Sequence, residues 1–310
     1  VAPDHATERM VLQDLSVITT NGAIVGDTWY AIWIDAAGGD IAPVTLKNVK
    51  ARGRVTGSLV YSTGLLISPN GYAIDDLLIE DCVINDNYTH GIFAKNTTSN
   101  NTGALTNFVM KNTSVDNNTV KPSGSGGDRM GMYLMIQKNA TPNILVDNVT
   151  IENCSFNGHV YGSGKGIYAE AISNALFKNV TVTGNQREGI DLNLKFRTDY
   201  ENIVFEDCNI YGNAVVGGTS TYPNLHIKGR NDGGTYGANP ALITNLEIKG
   251  GTYTSNLLTN PGISLGNNIS NVDFTNGVSF NGTGGLGLVL YVSTNTPDVE
   301  IGNTSFAGTL

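Results

Sequence analysis

Charged side chains are scarce in this sequence, and basic ones are the scarcer kind. Of its 310 residues, 15% are charged, and 18 lysines and arginines stand against 27 acidic residues, which gives a formal net charge of -9. Because nucleic-acid binding normally needs a basic face, we expect no nucleic-acid partner. No apolar run approaches the length of a membrane span, so we expect no membrane partner either.

Helical patterns are also rare. Few segments place Ala, Leu, Glu and Lys in a helical rhythm, whereas 38 glycines and many Asn, Thr and Ser residues are typical of turns. This composition indicates an all-β chain. The low lysine content and the frequent Asn-x-Ser/Thr triplets suit a secreted or cell-surface protein, which is the location we expect. The lack of a signal peptide carries little weight, because the chain starts at Val1 rather than Met.

A short motif recurs along the whole chain. Its pattern is apolar-x-apolar-x-polar-small-x-apolar, and the ten copies cover residues 11–17, 44–51, 77–84, 108–115, 149–156, 176–182, 204–210, 246–253, 272–280 and 299–306. The polar slot is Asn or Asp in every copy except one, which has Gly250. Successive copies are 26 to 43 residues apart. Such self-similarity with loops of variable length predicts a β-solenoid, in which an inward Asn at each bend would bond the next coil.

The segments NVTIENCSFNGH…GKGIYAE (148–170) and NVTVTGNQREGIDLNL (179–194) carry this pattern most clearly. They resemble the right-handed parallel β-helix superfamily, and the resemblance covers nearly the whole chain. It implies an all-β fold, a single right-handed parallel β-helix of about ten coils over residues 1–310. Members of the superfamily include pectate and alginate lyases, polysaccharide epimerases, polygalacturonases, phage tailspikes and adhesins. The resemblance therefore fixes the fold better than the activity.

The three cysteines occupy one slot of the repeat. Cys82, Cys154 and Cys208 fall in the third, fifth and seventh copies. Alternate coils are roughly 10 Å apart, which is too far for a disulfide. We therefore expect buried free thiols that fill a core column.

A second strand, usually opened by Gly, follows each copy of the motif. In GIDLNLK (189–195), Ile190, Leu192 and Leu194 alternate with polar residues, which predicts one dry and one wet face. The first outward row along these strands would be Trp33, Leu66, Phe93, Tyr133, Tyr168, Asp191, His226, Ser264 and Val289. Aromatic rings suit sugar faces, so Trp33, Phe93, Tyr133 and Tyr168 are the predicted substrate-binding residues.

The predicted catalytic residues lie on the other half of this face: Glu170, Asp191, Lys195, Arg197, His226, Lys228 and Arg230. Together they suit proton abstraction beside a uronate carboxylate, the chemistry of a lyase or an epimerase acting on an acidic polysaccharide. Arg197 and Arg230 would neutralise the carboxylate. Lys195, Lys228 or His226 would be the base, and Tyr168 the proton donor. No cofactor is required, although Ca²⁺ would find oxygen ligands in Glu170, Asp191 and Asn193.

Two other readings of these residues stay open. Glu170 and Asp191 on adjacent coils would have the separation of about 5 Å of a retaining glycoside hydrolase. Alternatively, Glu170–Lys195 and Asp191–Lys228 are only cross-strand ion pairs on a solvated sheet. The signatures of mannuronan epimerases (Asp-Pro-His) and polygalacturonases (Asn-Thr-Asp, Gly-His, Arg-Ile-Lys) are not matched, so neither family assigns a residue.

The ends of the solenoid support a non-enzymatic reading. Residues 1–9 are too short for a substantial cap, and the chain stops just after a copy of the motif. Uncovered ends expose unpaired strand edges. The chain would then be a fragment of a larger protein, or it would self-associate through its ends as a tailspike, adhesin or filament subunit.

Overall fold

The computed structural model describes residues 9–18, 28–53, 61–96, 103–118, 129–136, 146–195, 199–215, 222–230, 240–255, 260–266, 268–280, 287–290 and 299–301. All regular elements in these ranges are β-strands. They are β1 (Met10–Gln13), β2 (Ser16–Ile18), β3 (Thr28–Asp35), β4 (Val44–Lys47), β5 (Lys50–Arg52), β6 (Tyr61–Ser68), β7 (Ala73–Asp75), β8 (Leu77–Glu80), β9 (His90–Ala94), β10 (Ala104–Lys111), β11 (Met130–Leu134), β12 (Val146–Glu152), β13 (Lys165–Ala169), β14 (Ser173–Lys178), β15 (Thr181–Thr183), β16 (Ile190–Leu194), β17 (Asp199–Glu206), β18 (Asn209–Tyr211), β19 (Leu225–Gly229), β20 (Leu242–Lys249), β21 (Thr252–Thr254), β22 (Ile263–Leu265), β23 (Ile269–Thr275), β24 (Leu288–Leu290) and β25 (Val299–Ile301).

The strands stack into parallel sheets that run along a common axis. An 11-stranded sheet has the order β1-β4-β8-β10-β12-β14-β17-β20-β23-β25, with β7 paired to β10. A 9-stranded sheet has the order β24-β22-β19-β16-β13-β11-β9-β6-β3. A third face consists of β2-β5 and β15-β18-β21, joined by single bridges such as Val83↔Ser114 and Ser155↔Thr181. The predicted parallel β-helix is therefore confirmed, while the number of coils stays a prediction.

The polar slot of the repeat is explained by backbone conformation. Asn48, Asn112, Asn153 and Asn179 have φ values of 48°, 48°, 54° and 50°. This left-handed region favours Asn, Asp and Gly over other residues. Gly250, the exception in the slot, has a φ of 61°. The residue type at this position is therefore limited by the left-handed backbone conformation and not by a need for a polar side chain.

The side chains of this slot point outward, not inward as predicted. They are exposed and form a surface column in which Asn153 Nδ2 donates to Asn112 Oδ1 (3.2 Å) and Asn179 Nδ2 donates to Asn153 Oδ1 (2.7 Å).

A different set of residues forms the buried polar column of the solenoid. In it Asn87 Nδ2 donates to Asn118 Oδ1 (2.8 Å), and Asn185 Nδ2 donates to Asn213 Oδ1 (2.8 Å). His159 takes one place in the column: Asn118 N–H donates to His159 Nδ1 (3.2 Å), and His159 N–H donates to Asn185 Oδ1 (3.0 Å). These side chains accept hydrogen bonds from backbone N–H groups at a corner of the coil, where the backbone is not paired in a sheet.

The core between the sheets is apolar and continuous along the axis. It includes Ile190, Leu192 and the stacked rings of Phe177 and Phe205, whose centroids are 4.7 Å apart. Cys82, Cys154 and Cys208 are free and buried, as predicted. The part of the chain that the structure describes has no helix long and apolar enough to cross a membrane.

One outward row of the long sheet alternates in charge. Strand pairing places its members in one register column, which reads Lys47, Glu80, Lys111, Glu152, Lys178, Glu206 and Lys249. Lys47 Nζ lies 2.7 Å from Glu80 Oε2, and Lys178 Nζ lies 2.7 Å from Glu206 Oε1. Each acid has a base on both neighbouring strands, so a coil that slipped out of register would lose this alternation.

Candidate functional site

The candidate site lies on the outward face of the 9-stranded sheet. Its register pairs place the first predicted outward row in one column: Trp33, Leu66, Phe93, Tyr133, Tyr168, Asp191, His226, Ser264 and Val289. Ile190 and Leu192, which alternate with Asp191 on β16, are fully buried in the core. The period-2 pattern therefore separated the two faces correctly.

The middle of this face is dry, however, and not wet as predicted. Tyr133 is 4% exposed, Tyr168 is 7% exposed and Leu66 is fully buried. The ring centroids of Phe93 and Tyr133 are 5.0 Å apart and stacked, those of Tyr133 and Tyr168 are also 5.0 Å apart, and Met130 packs with them. Contact among these rings forms a second apolar cluster outside the main core.

Trp33 lies on β3, the last strand of the 9-stranded sheet, at the end of the row that carries the aromatic residues. It is 50% exposed, and its ring contacts that of Tyr30 with centroids 5.6 Å apart. The indole Nε1–H donates to Ser68 Oγ (3.1 Å), which fixes the orientation of the ring. Of the four predicted substrate-binding residues, Trp33 offers the largest ring surface to solvent, Phe93 is half-buried, and Tyr133 and Tyr168 are buried.

Asp191 is the centre of a buried charged cluster next to the rings. It is 4% exposed, forms an ion pair with Lys165 through Oδ2, and has Oδ1 at 3.1 Å from His226 Nδ1. Lys165 Nζ also lies 3.2 Å from Glu188 Oε2 and 4.6 Å from the centroid of the Tyr168 ring. Strands β13, β16 and β19 thus each contribute one charged or titratable residue, and Glu188 precedes β16.

The electrostatics of this cluster keep both members of its central ion pair charged. Burial raises the pKa of Asp191, but the attraction of Lys165 and His226 outweighs it and leaves the pKa below its usual range. Burial lowers the pKa of Lys165, and Asp191 and Glu188 outweigh that effect and raise it. Asp191 is therefore a fixed anion beside His226.

Glu170 forms a second cluster on the same face. Its Oε1 accepts hydrogen bonds from Tyr133 Oη (3.1 Å) and Tyr168 Oη (3.2 Å), and it is ion-paired with Lys195. Asn193 Nδ2 donates to Tyr168 Oη (3.0 Å). The predicted pair Glu170–Lys195 is present, so Glu170 is 2% exposed and held by three donors.

The remaining predicted residues take different positions. Lys228 pairs in register with Asn193 rather than with Asp191, so the predicted pair Asp191–Lys228 is replaced by Asp191–Lys165 and Asp191–His226. Lys228 and Arg230 are half-buried. Arg197 lies outside the described residues.

Metal-binding groups concentrate at one point of the described chain. Glu188, Asp191 and His226 each offer a ligand atom, and these atoms lie within 4.8 Å of one another. Glu170 and Asp191, the carboxylates predicted to hold Ca²⁺, are each paired with an ammonium group instead. A cation at Glu170, Asp191 and Asn193 would have to displace both lysines, and this metal site stays a prediction.

Glu188 was not predicted as a site residue, and Lys165 was expected only as part of a cationic patch on this face, not as a partner of Asp191. Each immediately precedes the glycine that opens its strand, Gly166 or Gly189. A Cβ at Gly166 would lie 2.4 Å from Val182 Cγ1, and one at Gly189 would lie 2.6 Å from Ile210 Cγ2, so these glycines face the interior. The sequence feature that could have indicated these two site residues is therefore a charged residue directly before the glycine of a strand.

No protein-family model and no curated protein sequence matches the chain. Among solved structures, it is similar to the A-module of the mannuronan C-5 epimerase AlgE4 from Azotobacter vinelandii, with a TM-score of 0.53 and 17% identity over 83% of this chain and 64% of that one. It is also similar to the AlgE6 A-module of the same organism, with a TM-score of 0.43 and 15% identity over 86% and 65% of the two chains. The tailspike protein gp49 from Pseudomonas phage LKA1 gives a TM-score of 0.49 and 11% identity over 96% and 46%.

The AlgE4 module is a parallel β-helix protein, and the likeness to it agrees with the fold predicted from the sequence. The chain spans less than two thirds of the length of each epimerase module. At identities of 17% or lower the likeness concerns the fold alone.

Proposed function

We propose that this chain is a secreted, carbohydrate-active β-helix protein that removes a proton beside the carboxylate of a uronate in an acidic polysaccharide, as a lyase or an epimerase. The observation that carries the proposal is the pairing of His226 with Asp191, Nδ1 to Oδ1 at 3.1 Å, on a face that also presents Lys228. The epimerase module that shares the fold acts, by its name, on mannuronan, which adds support for a uronate substrate.

His226 is the proposed base. His226 Nδ1 lies 3.1 Å from Asp191 Oδ1, and a tautomer protonated at Nδ1 would leave the lone pair of Nε2 for a substrate. Asp191 remains ionised because Lys165 and His226 hold its pKa low, so it stabilises the imidazolium that forms when Nε2 takes the proton. The His226 side chain keeps 16% of its surface exposed, whereas Asp191 behind it is buried.

Lys228 and Arg230 are the proposed partners of the uronate carboxylate. Lys228 is two residues beyond His226 on β19, so both side chains lie on the outward face, and Arg230 follows the strand. Their positive charges would stabilise the electron pair left on the substrate after C5 loses its proton. Expulsion of the C4 oxygen then gives an unsaturated end, while return of a proton to the other face of C5 gives an epimer.

Tyr168 is the proposed proton donor, and the exposed Trp33 with the half-buried Phe93 is the proposed binding surface. Tyr168 lies beside Asp191 in register, and its hydroxyl is held between Glu170 and Asn193. The exposed ring of Trp33 lies six strands of the sheet order away from His226, roughly 29 Å at about 4.8 Å per strand, and would contact a distant sugar of a long chain.

A glycoside hydrolase that uses Glu170 and Asp191 is the second enzymatic candidate. It needs one carboxyl group to be protonated as the acid. Lys165 and His226 hold the pKa of Asp191 below its usual range, so Asp191 does not suit the role of the acid, and Glu170 would have to fill it while its Oε1 accepts from Tyr133 and Tyr168. A binding or structural module that never turns over a polysaccharide is the non-enzymatic candidate.

Incubation with defined uronate polymers tests the proposal. Alginate, polygalacturonate and glucuronate polymers are each treated with the purified protein, and products are followed by ultraviolet absorbance of unsaturated ends and by NMR of uronate stereochemistry. We expect a change in at least one polymer, and a loss of roughly 100- to 10,000-fold in rate in His226→Gln. Ser264→Ala, the next position of the same register row, is the matched control and should retain activity.

The alternatives give different results in the same experiment. Release of reducing ends without unsaturation would favour the glycoside hydrolase. Retention of polymers on immobilised protein without any product would favour the binding module. Uronates that neither react nor bind would exclude the proposal.

A further inference from the structure

The cluster around Asp191 has the composition of a metal site, yet a side chain of the protein supplies its cation. Glu188, Asp191 and His226 place one ligand atom each within 4.8 Å of the others. Two carboxylates and one imidazole form a mixed oxygen and nitrogen donor set that suits divalent transition metals better than Ca²⁺. The Lys165 ammonium is ion-paired with Asp191 and lies 3.2 Å from Glu188 Oε2.

Burial makes a cation at this point necessary. The side chains of Glu188 and Asp191 are only 9% and 5% exposed, and two neighbouring carboxylates in such surroundings repel each other strongly. The Lys165 side chain is 11% exposed, so its charge is available to the two acids rather than to solvent. One ammonium group beside two carboxylates leaves these three groups with a single net negative charge.

We infer that Lys165 is the resident cation of this three-ligand site, so that the protein holds Asp191 and His226 in place without a divalent metal, and that removal of Lys165 alone turns the cluster into a transition-metal site. The inference rests on contacts of Lys165, Glu188, Asp191 and His226. It stands independently of the proposed reaction, because its readout is metal binding.

Lys165 would then be a positioning residue for the proposed base. Lys165 is ion-paired with Asp191, and Asp191 lies beside His226, so Lys165 would act on the base through Asp191. The Lys165 ammonium also lies 4.6 Å from the centroid of the Tyr168 ring, so the ring and the two acids together fix its position.

Titration calorimetry with Zn²⁺ tests the inference on folded full-length chains. Wild type and Lys165→Arg, which keeps the cation, should show no zinc binding that depends on His226. Lys165→Met should bind one Zn²⁺ per chain at least 100-fold more tightly than wild type, and Lys165→Met/His226→Gln should lose that binding. Co²⁺ gives a second readout, since visible absorption bands should appear only in Lys165→Met.

Two results would overturn the inference. One is a single Zn²⁺ bound to the wild type and lost in His226→Gln, because the site would then accept a metal with Lys165 in place. The other is a folded Lys165→Met protein without zinc binding above wild type. If Lys165→Met does not fold alone, refolding it with and without Zn²⁺ decides the point, since only a cation-requiring cluster predicts rescue by the metal and failure of rescue contradicts it.

Discussion

His159 gives the sharpest prediction about stability. It takes the place of an Asn in the buried column, between Asn118 and Asn185, and it is fully buried. Burial lowers the pKa of His159 from 6.5 to about 4, against weaker opposing effects of the backbone at Asn118 and Val115. Protonation would put an unpaired charge inside the solenoid.

The sign of the pH dependence follows from these pKa values. Between pH 6.5 and pH 4 the unfolded chain binds a proton at this position and the folded chain does not, so the folded state loses stability as the pH falls. At about 1.4 kcal/mol for each tenfold change in proton concentration, the full loss is roughly 3 kcal/mol. His90, whose pKa burial lowers to about 3, adds a loss of its own that reaches roughly 5 kcal/mol once the pH falls to 3.

His159→Asn isolates the contribution of His159. The substitution restores the residue type of the column and removes the titrating group, while His90 remains as an internal reference. Urea unfolding of both proteins at pH 7.5 and pH 4 should show that the variant loses roughly 3 kcal/mol less than wild type on acidification. Equal losses in the two proteins would refute the assignment of a depressed pKa to His159.

Three further predictions concern the repeat and its cysteines. At Gly250, where φ is 61°, Val should cost at least about 1 kcal/mol more unfolding free energy than Asn, and equal costs would contradict the conformational explanation of the polar slot. Glu152→Lys, which places three lysines in succession, should lower the urea midpoint by an amount that shrinks in high salt, whereas a salt-independent loss would point to packing. Burial raises the pKa of Cys154 and of Cys208 to about 12, so a thiol reagent should label them only after unfolding, and labelling of the native chain would show that the core opens.

The architecture was predictable from the sequence because each copy of the motif meets the same two structural requirements, a left-handed corner and a strand with one buried face. A left-handed corner demands Asn, Asp or Gly, as Asn153 and Gly250 show, and the alternation of Ile190, Asp191 and Leu192 assigns the two faces of a strand. Rows built from these positions match the observed register from Trp33 to Val289. The direction of the Asn side chain at the corner was not predictable in this way, because it depends on how the backbone turns.

The environment of the site was harder to predict than its residues. Alternation cannot tell a solvated outward face from a covered one, and Tyr133 and Tyr168 are buried by mutual ring contacts that no periodicity encodes. The ion pairs of Lys165 with Asp191 and Glu188 were not predicted, since Lys165 and Glu188 precede a strand glycine and stand outside the period-2 pattern. Their convergence depends on the stacking of β13, β16 and β19.

The measurement that tests the proposed function most directly is the fate of the H-5 proton of a uronate polymer in D₂O. Elimination and epimerisation both remove this proton, whereas hydrolysis and simple binding leave it in place. We predict that the H-5 resonance decays with the native protein and with Ser264→Ala, and persists with His226→Gln. Full retention of H-5 in every uronate polymer with the native protein would contradict the assignment of His226 and Asp191 to proton abstraction.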